Sequence, residues 1–406
     1  MKRIIIIGGG IAGISAAIKA KCENNEVIVL EKNKTCLKKL LITGNGHCNY
    51  YNDKFDVSCY DSTDKQLLDN IINEDSKSRL EAFYKEIGLV PRVKNGYYYP
   101  YSNQAYAVLN ALMKEAFVKG VKIVNEVEVL DIKKANNFII ETSGEKYTAD
   151  VVIIATGSKS YPKTGSTGDG YKFAKMFNHT VNKVYPALVQ VLIDDKYIKE
   201  LDGIRNDAKV TLLIDNKPVK EEFGEVQFTK NGLSGICIYN LTLSLNKYLD
   251  EGREVNIAIN FLSGLGINTK SDLDNHLISQ NSILKNRTLV ELLEEVINYN
   301  VVNTIFKKLK IDQNIKYDNL EVSVKDKLLN ELINYEVSIT GTKDYDSAQV
   351  CSGGISLNEL DINTFESKLV KDLYFVGEMV DVTGICGGYN ISFAVLSGLK
   401  AGDNCD

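Results

Sequence analysis

The chain has 406 residues, 44% apolar and 25% charged, the balance of a globular protein large enough for two or three domains. Its net charge of −5 argues against a nucleic-acid-binding surface, which carries a basic stripe. Eight cysteines without a C-x-x-C pair and three scattered histidines (His47, His179, His276) offer no zinc-type spacing and no disulfide framework, so the expectation is no metal and reduced thiols in a cytoplasm.

Ile4, Ile5, Ile6 and Ile7 form a short β-branched run, the pattern of a strand buried on both faces of a parallel sheet. Gly8, Gly9, Gly10, Ile11, Ala12 and Gly13 follow at once, giving G-x-G-x-x-G at a strand-to-helix junction. Gly8 permits the turn, Gly10 lets a pyrophosphate approach the backbone, and Gly13 lets the helix pack on the strand. Ile14, Ala16, Ala17, Ile18 and Ala20 continue as that helix, whose first N–H groups face the phosphates. Val27 to Leu30 form the next strand. Glu31 ends it, about 20 residues past the glycines, where an acid accepts hydrogen bonds from an adenosine ribose. A carboxylate there favours FAD or NAD over NADP, whose 2′-phosphate it would repel. The apolar run is too short and too glycine-broken for a signal peptide or a span, so no membrane partner is expected.

A basic segment, Lys32 to Lys39, leads into Leu40, Leu41, Ile42, Thr43, Gly44, Asn45, Gly46, His47, Cys48, Asn49 and Tyr50. Gly-Asn-Gly is a turn signal. An ordinary tight turn and a loop pressed on a cofactor both fit it. Thr63 to Gly88 has apolar residues at helical spacing with one break. The run Tyr97, Tyr98, Tyr99, Pro100, Tyr101 reads as half-buried strand, or as a pocket wall. Gln104 to Lys119 is helical, and four short segments between Val121 and Thr148 predict a small meander. Val151 to Ile154 is a second fully apolar strand, running into Ala155, Thr156 and Gly157, at the strand end where ligands sit in open α/β sheets. A glycine-rich loop with Tyr161 follows.

After Pro186 short strands dominate to about residue 265, and helices follow to about 337. The expectation is an inserted β-rich, barrel-like domain over 187–265 and a helical subdomain over 266–337. The flanking segments, 1–186 and 338–406, then form one discontinuous domain. Near the end, Leu373 to Val376 is a strand entering Gly377, Glu378 and Asp381. Gly387, Gly388, Tyr389, Asn390 and Ile391 open a last helix, with Gly398 and Gly402 for close packing.

These pieces together resemble the glutathione-reductase-type superfamily of FAD-binding proteins. They are most similar to the bacterial family of FAD-dependent oxidoreductases that includes aminoacetone oxidase and a flavoprotein of bile-acid dehydroxylation. The resemblance rests on Gly8 to Gly13, on Lys38 to Asn49, on Ala155 to Ser158, on Gly224, Glu225, Phe228, Thr229, Gly232, Ser234 and Gly235, and on Glu366 to Lys368 with Tyr374 to Asn390. It implies an α/β fold: a Rossmann-type FAD-binding domain interrupted by a β module and a small helical cluster. It implies FAD held by Gly8, Gly10, Ile11, Ala12, Gly13, Glu31, Lys32 and Val129 at the ADP end. Ala155, Thr156 and Gly157 would lie alongside. Lys39 and Thr43, Gly44, Asn45, Gly46, His47, Cys48 and Asn49 would run along the flavin. Gly377, with Glu378 or Asp381, would hold the ribitol, and Gly388, Tyr389, Asn390 and Ile391 would abut the pyrimidine end.

Two positions depart from the family pattern. His47 stands where an arginine is usual, and Cys386 where a threonine is common. Cys48 and Cys386 read as packed small residues rather than redox thiols. His47, Tyr161 and Tyr389 are the candidates for acid or base work. The expected activity is hydride transfer between FAD and a small organic substrate. NADH or NADPH would dock transiently as reductant, since no second G-x-G-x-x-G is present, or oxygen would reoxidise the flavin. A flavin-binding redox sensor is the alternative. RNA modification, known among distant FAD relatives, is disfavoured by the acidic charge.

Overall fold

A computed structural model describes residues 1–405. The chain divides into two compact units, one of residues 1–186 with 348–405 and one of residues 187–347.

The first unit is built on a parallel sheet. Its strands are β1 (Lys2–Ile7), β2 (Asn25–Glu31), β3 (Lys122–Asn125), β4 (Val151–Ile154) and β5 (Leu373–Phe375), in the order β5-β4-β1-β2-β3. Ile4 pairs with Val27 on one side and Val151 on the other, and Ile4 to Ile6 are fully buried. That burial on both faces is why the strand sequence is unbroken isoleucine rather than alternating. Helix α1 (Ile11–Ala20) leaves β1 through the glycine turn, and α2 (Tyr389–Asp403) packs across it. A Cβ added at Gly398 would lie 2.3 Å from Ala12 O, and one at Gly402 2.5 Å from Ala16 O, so both glycines are needed for the helices to touch.

Segment Lys122–Asn125, expected in the meander, is instead the edge strand of this sheet; the meander proper is Val129–Lys134, Phe138–Thr142 and Tyr147–Ala149. The tyrosine run is the strand Tyr97–Pro100 of an antiparallel hairpin, also paired to Tyr51–Asn52. The helical stretch breaks at Asn73, whose side chain accepts the N–H of Ser76 and starts a new helix, Glu74–Glu86.

The second unit is an antiparallel sheet of seven strands. Their order is Tyr335–Ser338, Val255–Asn260, Arg205–Ile214, Lys217–Thr229, Gly232–Ser234, Val191–Leu192, Gly341–Thr342. The two end strands are consecutive in sequence. Between them the N–H of Ile339 donates to Val255 O at 2.9 Å and that of Thr340 to Leu192 O at 2.9 Å, so the sheet curls back on itself as a barrel. The helices between Lys270 and Ile333 share its hydrophobic core rather than forming a core of their own. One element differs outright: Ile236–Asp250, expected within a run of strands, is a helix. Leu241, Leu243 and Leu245 alternate with Thr242 and Ser244 as in a strand. The helix instead buries Cys237, Ile238, Leu241 and Leu245 against the barrel.

Candidate functional site

The glycine turn divides its labour. Gly8 has φ +104°, and a Cβ there would lie 2.5 Å from Ala155 O. At Gly13 a Cβ would lie 2.0 Å from Gly8 O. These two glycines are required by the protein's own packing. Gly10 is not: its φ is −73°, open to any residue, and a Cβ would find only Ala155 O, at 4.0 Å. The space over Gly10 suits an approaching ligand. The first helical hydrogen bond of α1 runs from Ile14 N–H to Gly10 O at 2.9 Å, so the N–H groups of Ile11, Ala12 and Gly13 have no acceptor within the helix. Open space over aligned N–H groups at a helix start is what a diphosphate needs.

Glu31, 6% exposed, organises the neighbouring loop. Its Oε2 accepts the Gly9 N–H at 2.7 Å, and its Oε1 accepts the Asn33 N–H at 2.8 Å and Nδ2 at 2.7 Å. Beyond it two loops zip together. Lys32 Nζ donates to Thr167 Oγ1 at 2.6 Å and to Asp169 Oδ2 at 2.5 Å, Asn33 Nδ2 to Thr164 O, and Lys38 Nζ to Lys163 O. The N–H of Val127 donates to Glu31 O at 3.0 Å, which brings the segment leading to the buried Val129 against the end of β2.

The basic segment holds two residues that sequence reasoning passed over. Leu37, at φ +61°, donates its N–H to Gly9 O at 2.9 Å, and Cys36 lies over Gly9, 2.4 Å from where a Cβ would stand. Together they clamp the glycine turn. No sequence signal marks a leucine in left-handed backbone. Burial, with Glu31 nearby, pushes the Cys36 thiol up to about 12, so it stays protonated.

At the end of β4, Ala155 backs the glycine turn, and Gly157 has φ +73° beside Ser166. Thr156 Oγ1 is buried and has no hydrogen-bond partner. That hydroxyl lies against Gly170, where a Cβ would stand 2.5 Å from it.

At the end of β5, Gly377 (φ +80°) stands against Ala12 of α1 and donates its N–H to Ser397 Oγ. The Glu378 carboxylate is committed to protein donors: Ser158, Ser160, Lys39 and the Cys351 N–H. Asp381 is buried. Its Oδ2 accepts Thr63 N–H at 3.1 Å and Asn182 Nδ2 at 2.8 Å, and burial raises its pKa.

The loop through Thr43 is folded by left-handed backbone at Gly44, Asn45, Gly46 and Cys48. Glycine adopts this backbone freely and asparagine tolerates it, so the strain falls on Cys48. Thr43 Oγ1 donates to Leu40 O. Asn45 is exposed, while Cys48 is fully buried and burial pushes its thiol up to about 12. Asn49 meets the last helix: a Cβ at Gly388 would lie 3.0 Å from Asn49 Oδ1 and 2.8 Å from Tyr51 N. Asn390 fixes the start of α2 by exchanging two 2.8 Å bonds with the backbone of Gly384, and Ile391 is half-buried behind it.

The three acid–base candidates are not gathered at one point by any bond. His47 is exposed, with Nδ1 2.8 Å from Asn103 O. Tyr161 has φ +51°, and its carbonyl accepts both the N–H and the hydroxyl of Thr164. Tyr389 is buried, edge-on to Tyr60 at 5.7 Å, and burial holds its hydroxyl well above the usual tyrosine range.

The sequence matches the HI0933-like protein Rossmann domain over residues 2–404. The chain belongs to the HI0933-like family. A 3-dehydro-bile acid delta(4,6)-reductase of Clostridium scindens is 35% identical over 406 residues, spanning 99% of this chain and 98% of its own. A ribosomal RNA dihydrouridine synthase of Escherichia coli is 27% identical, over 96% of this chain and 94% of its own. The open conformation of a flavocytochrome c3 fumarate reductase shares the fold, with a TM-score of 0.52 at 14% identity, covering all of this chain and 78% of that one. This HI0933-like protein is an FAD-dependent oxidoreductase. Among its described residues no helix is long and apolar enough to cross a membrane.

Proposed function

We propose that this enzyme is a reductase acting on a small apolar molecule of the bile-acid kind, with NADH or NADPH as the transient hydride source. The observation that carries the reading is the near full-length likeness, at 35% identity, to a reductase of 3-dehydro-bile acids. Bound FAD supplies the hydride chemistry.

In this reading the chain's residues bind and orient. Gly10 and the N–H groups of Ile11, Ala12 and Gly13 take the diphosphate, supported by the open space at Gly10. Glu31 takes the adenosine ribose with lone pairs left over from its loop bonds. Lys32 and Val129 border the adenosine end. Lys39, the loop from Thr43 to Asn49, Asp381 and the start of α2 from Gly388 to Ile391 line the flavin end. Glu378 has a different part, since its carboxylate is already filled with protein donors. The cytoplasm suits eight cysteines that show no paired pattern.

A second reading has one observation in its favour. Lys34, Lys38 and Lys163 are exposed on the two zipped loops, a local basic strip in a chain of net charge −5, and ribosomal RNA dihydrouridine synthases of Escherichia coli and Haemophilus influenzae are relatives. The test is anaerobic reoxidation of the reduced protein. Return of the oxidised flavin band on adding an unsaturated 3-dehydro-bile acid supports the small-molecule reading. Return only with ribosomal RNA, accompanied by dihydrouridine in the RNA, replaces it with the second.

A further inference from the structure

The hairpin of Pro91–Lys94 and Tyr97–Pro100 sorts its side chains by face. Arg92 pairs with Tyr99 and Lys94 with Tyr97. The N–H of Tyr101 donates to Val90 O at 2.8 Å, so the pairing runs on to those two residues. The period of two puts Tyr97, Tyr99 and Tyr101 in a row on one face, opposite Lys94, Arg92 and Val90. The Arg92 guanidinium lies 5.3 Å from the centre of the Tyr101 ring, a diagonal contact across that face.

The face is open, and the charge it carries is positive. Val90, Arg92, Lys94 and Tyr101 are exposed, while Tyr97 and Tyr99 are half-buried. Among the described residues, Arg92 and Lys94 enter no ion pair. The nearby acids serve the opposite face. Asp53 accepts the Tyr98 hydroxyl, and Glu81 Oε1 accepts that of Tyr51 at 2.8 Å, whose ring stands 5.0 Å from the Tyr98 ring. The tyrosine row also reaches the turn that opens α2. A Cβ at Gly387 would lie 3.1 Å from Tyr97 Cε1 and 2.8 Å from Tyr389 Cε2, and Asn52 Nδ2 donates to Gly387 O at 3.2 Å.

We infer that this face recognises the substrate, and that the substrate is a flat apolar molecule ending in a carboxylate: Tyr97, Tyr99 and Tyr101 lie against its body, and Arg92 and Lys94 take its charge. The inference rests on the small-molecule reading above and deepens it. Tyrosine rings supply apolar area while their hydroxyls stay in water. An arginine fork holds a carboxylate through two parallel hydrogen bonds. A neutral ligand of the same shape would need the rings alone; two cations without a carboxylate partner complement an acid.

The test is equilibrium dialysis of the FAD-loaded protein against an unsaturated 3-dehydro-bile acid and against its methyl ester, which keeps the rings and loses the charge. Wild type binds the acid more tightly than the ester. The double variant Arg92→Gln with Lys94→Gln binds the acid about tenfold more weakly and the ester as before. Tyr101→Ser, which removes a ring and no charge, weakens both. These side chains are exposed, and thermal unfolding confirms that the variants fold. A double variant that still prefers the acid overturns the inference, as does a wild type that binds acid and ester equally. A double variant that keeps the acid but loses a single-stranded RNA oligonucleotide also overturns it and assigns the face to nucleic acid. A wild type that holds flavin yet binds neither compound overturns the small-molecule reading and the inference with it, a result distinct from the loss of the face alone.

Discussion

The Gly9 amide donates to Glu31 Oε2 at 2.7 Å, joining residues 22 apart in sequence. This bond closes the glycine turn onto the end of β2. The other carboxylate oxygen takes two donors from Asn33. Glu31→Gln must present an NH2 to one of these N–H donors, leaving a buried group unpaired. We expect a loss of about 1–3 kcal/mol in unfolding free energy, with FAD affinity weakened at least about tenfold. Urea denaturation and FAD titration measure the two effects. An unchanged midpoint would show that the turn does not depend on the carboxylate.

The glycines should separate by function. Gly13→Ala places a methyl 2.0 Å from Gly8 O, so it should cost roughly 3 kcal/mol or prevent folding. Gly10→Ala meets only Ala155 O at 4.0 Å. The ligand-free protein should keep its stability within about 1 kcal/mol while FAD binding falls. Thermal unfolding with and without FAD distinguishes them. A Gly10→Ala protein that binds FAD like wild type would mean the open space serves no ligand.

Lys400 is a buried lysine in the last turn of α2, 8% exposed, with Nζ 3.4 Å from Ile362 O. Burial, with Arg79 nearby, lowers its pKa to about 8. The unfolded chain holds that proton more tightly, so the cost is fully present below pH 8 and is relieved as pH rises toward the ordinary lysine value. It amounts to something on the order of 3 kcal/mol. Lys400→Met should stabilise the protein at pH 7, and the gain should shrink between pH 8 and pH 10. Paired denaturation curves across that range give the difference directly. A gain independent of pH would assign the effect to packing instead.

Much of the glycine turn's structure was legible because it is local. Gly8 to Gly13 and Glu31 are fixed by one strand–turn–helix–strand unit, and backbone needs dictate those residue types. The parts that escaped depend on contacts distant in sequence. Leu37 and Cys36 clamp Gly9 through a left-handed leucine, for which no residue preference exists. Ser158 and Ser160 matter only because Glu378, some 220 residues on, comes to meet them. Lys39 and Glu378 were both singled out, but their partnership was not, since nothing in either segment points to the other. In the second unit, Leu241 to Leu245 alternates like a strand and is helix, because burial against the barrel outweighs the short alternation.

Ser367 has a structural role. It lies 2.7 Å from His179 Nε2, and His179 Nδ1 is 3.2 Å from Glu359 Oε2. Ser367 Oγ is also taken by the N–H groups of Leu369 and Val370. The hydroxyl is buried and saturated, so it pins a turn rather than attacking a substrate. Burial lowers the His179 pKa despite Glu359. Its contribution is therefore intact above the ordinary histidine value and lost as pH falls from there through the lowered folded value. Ser367→Ala should cost about 1–3 kcal/mol without altering flavin reduction. Denaturation and single-turnover reduction together test this, and a slowed reduction in a well-folded variant would contradict it.

The most direct test of the account is an anaerobic visible-spectrum titration of the FAD-loaded protein with NADH and then NADPH. The account predicts one tightly held flavin per chain and stoichiometric bleaching by at least one of the two nucleotides. A protein that holds no flavin, or a flavin that neither nucleotide bleaches, would contradict it.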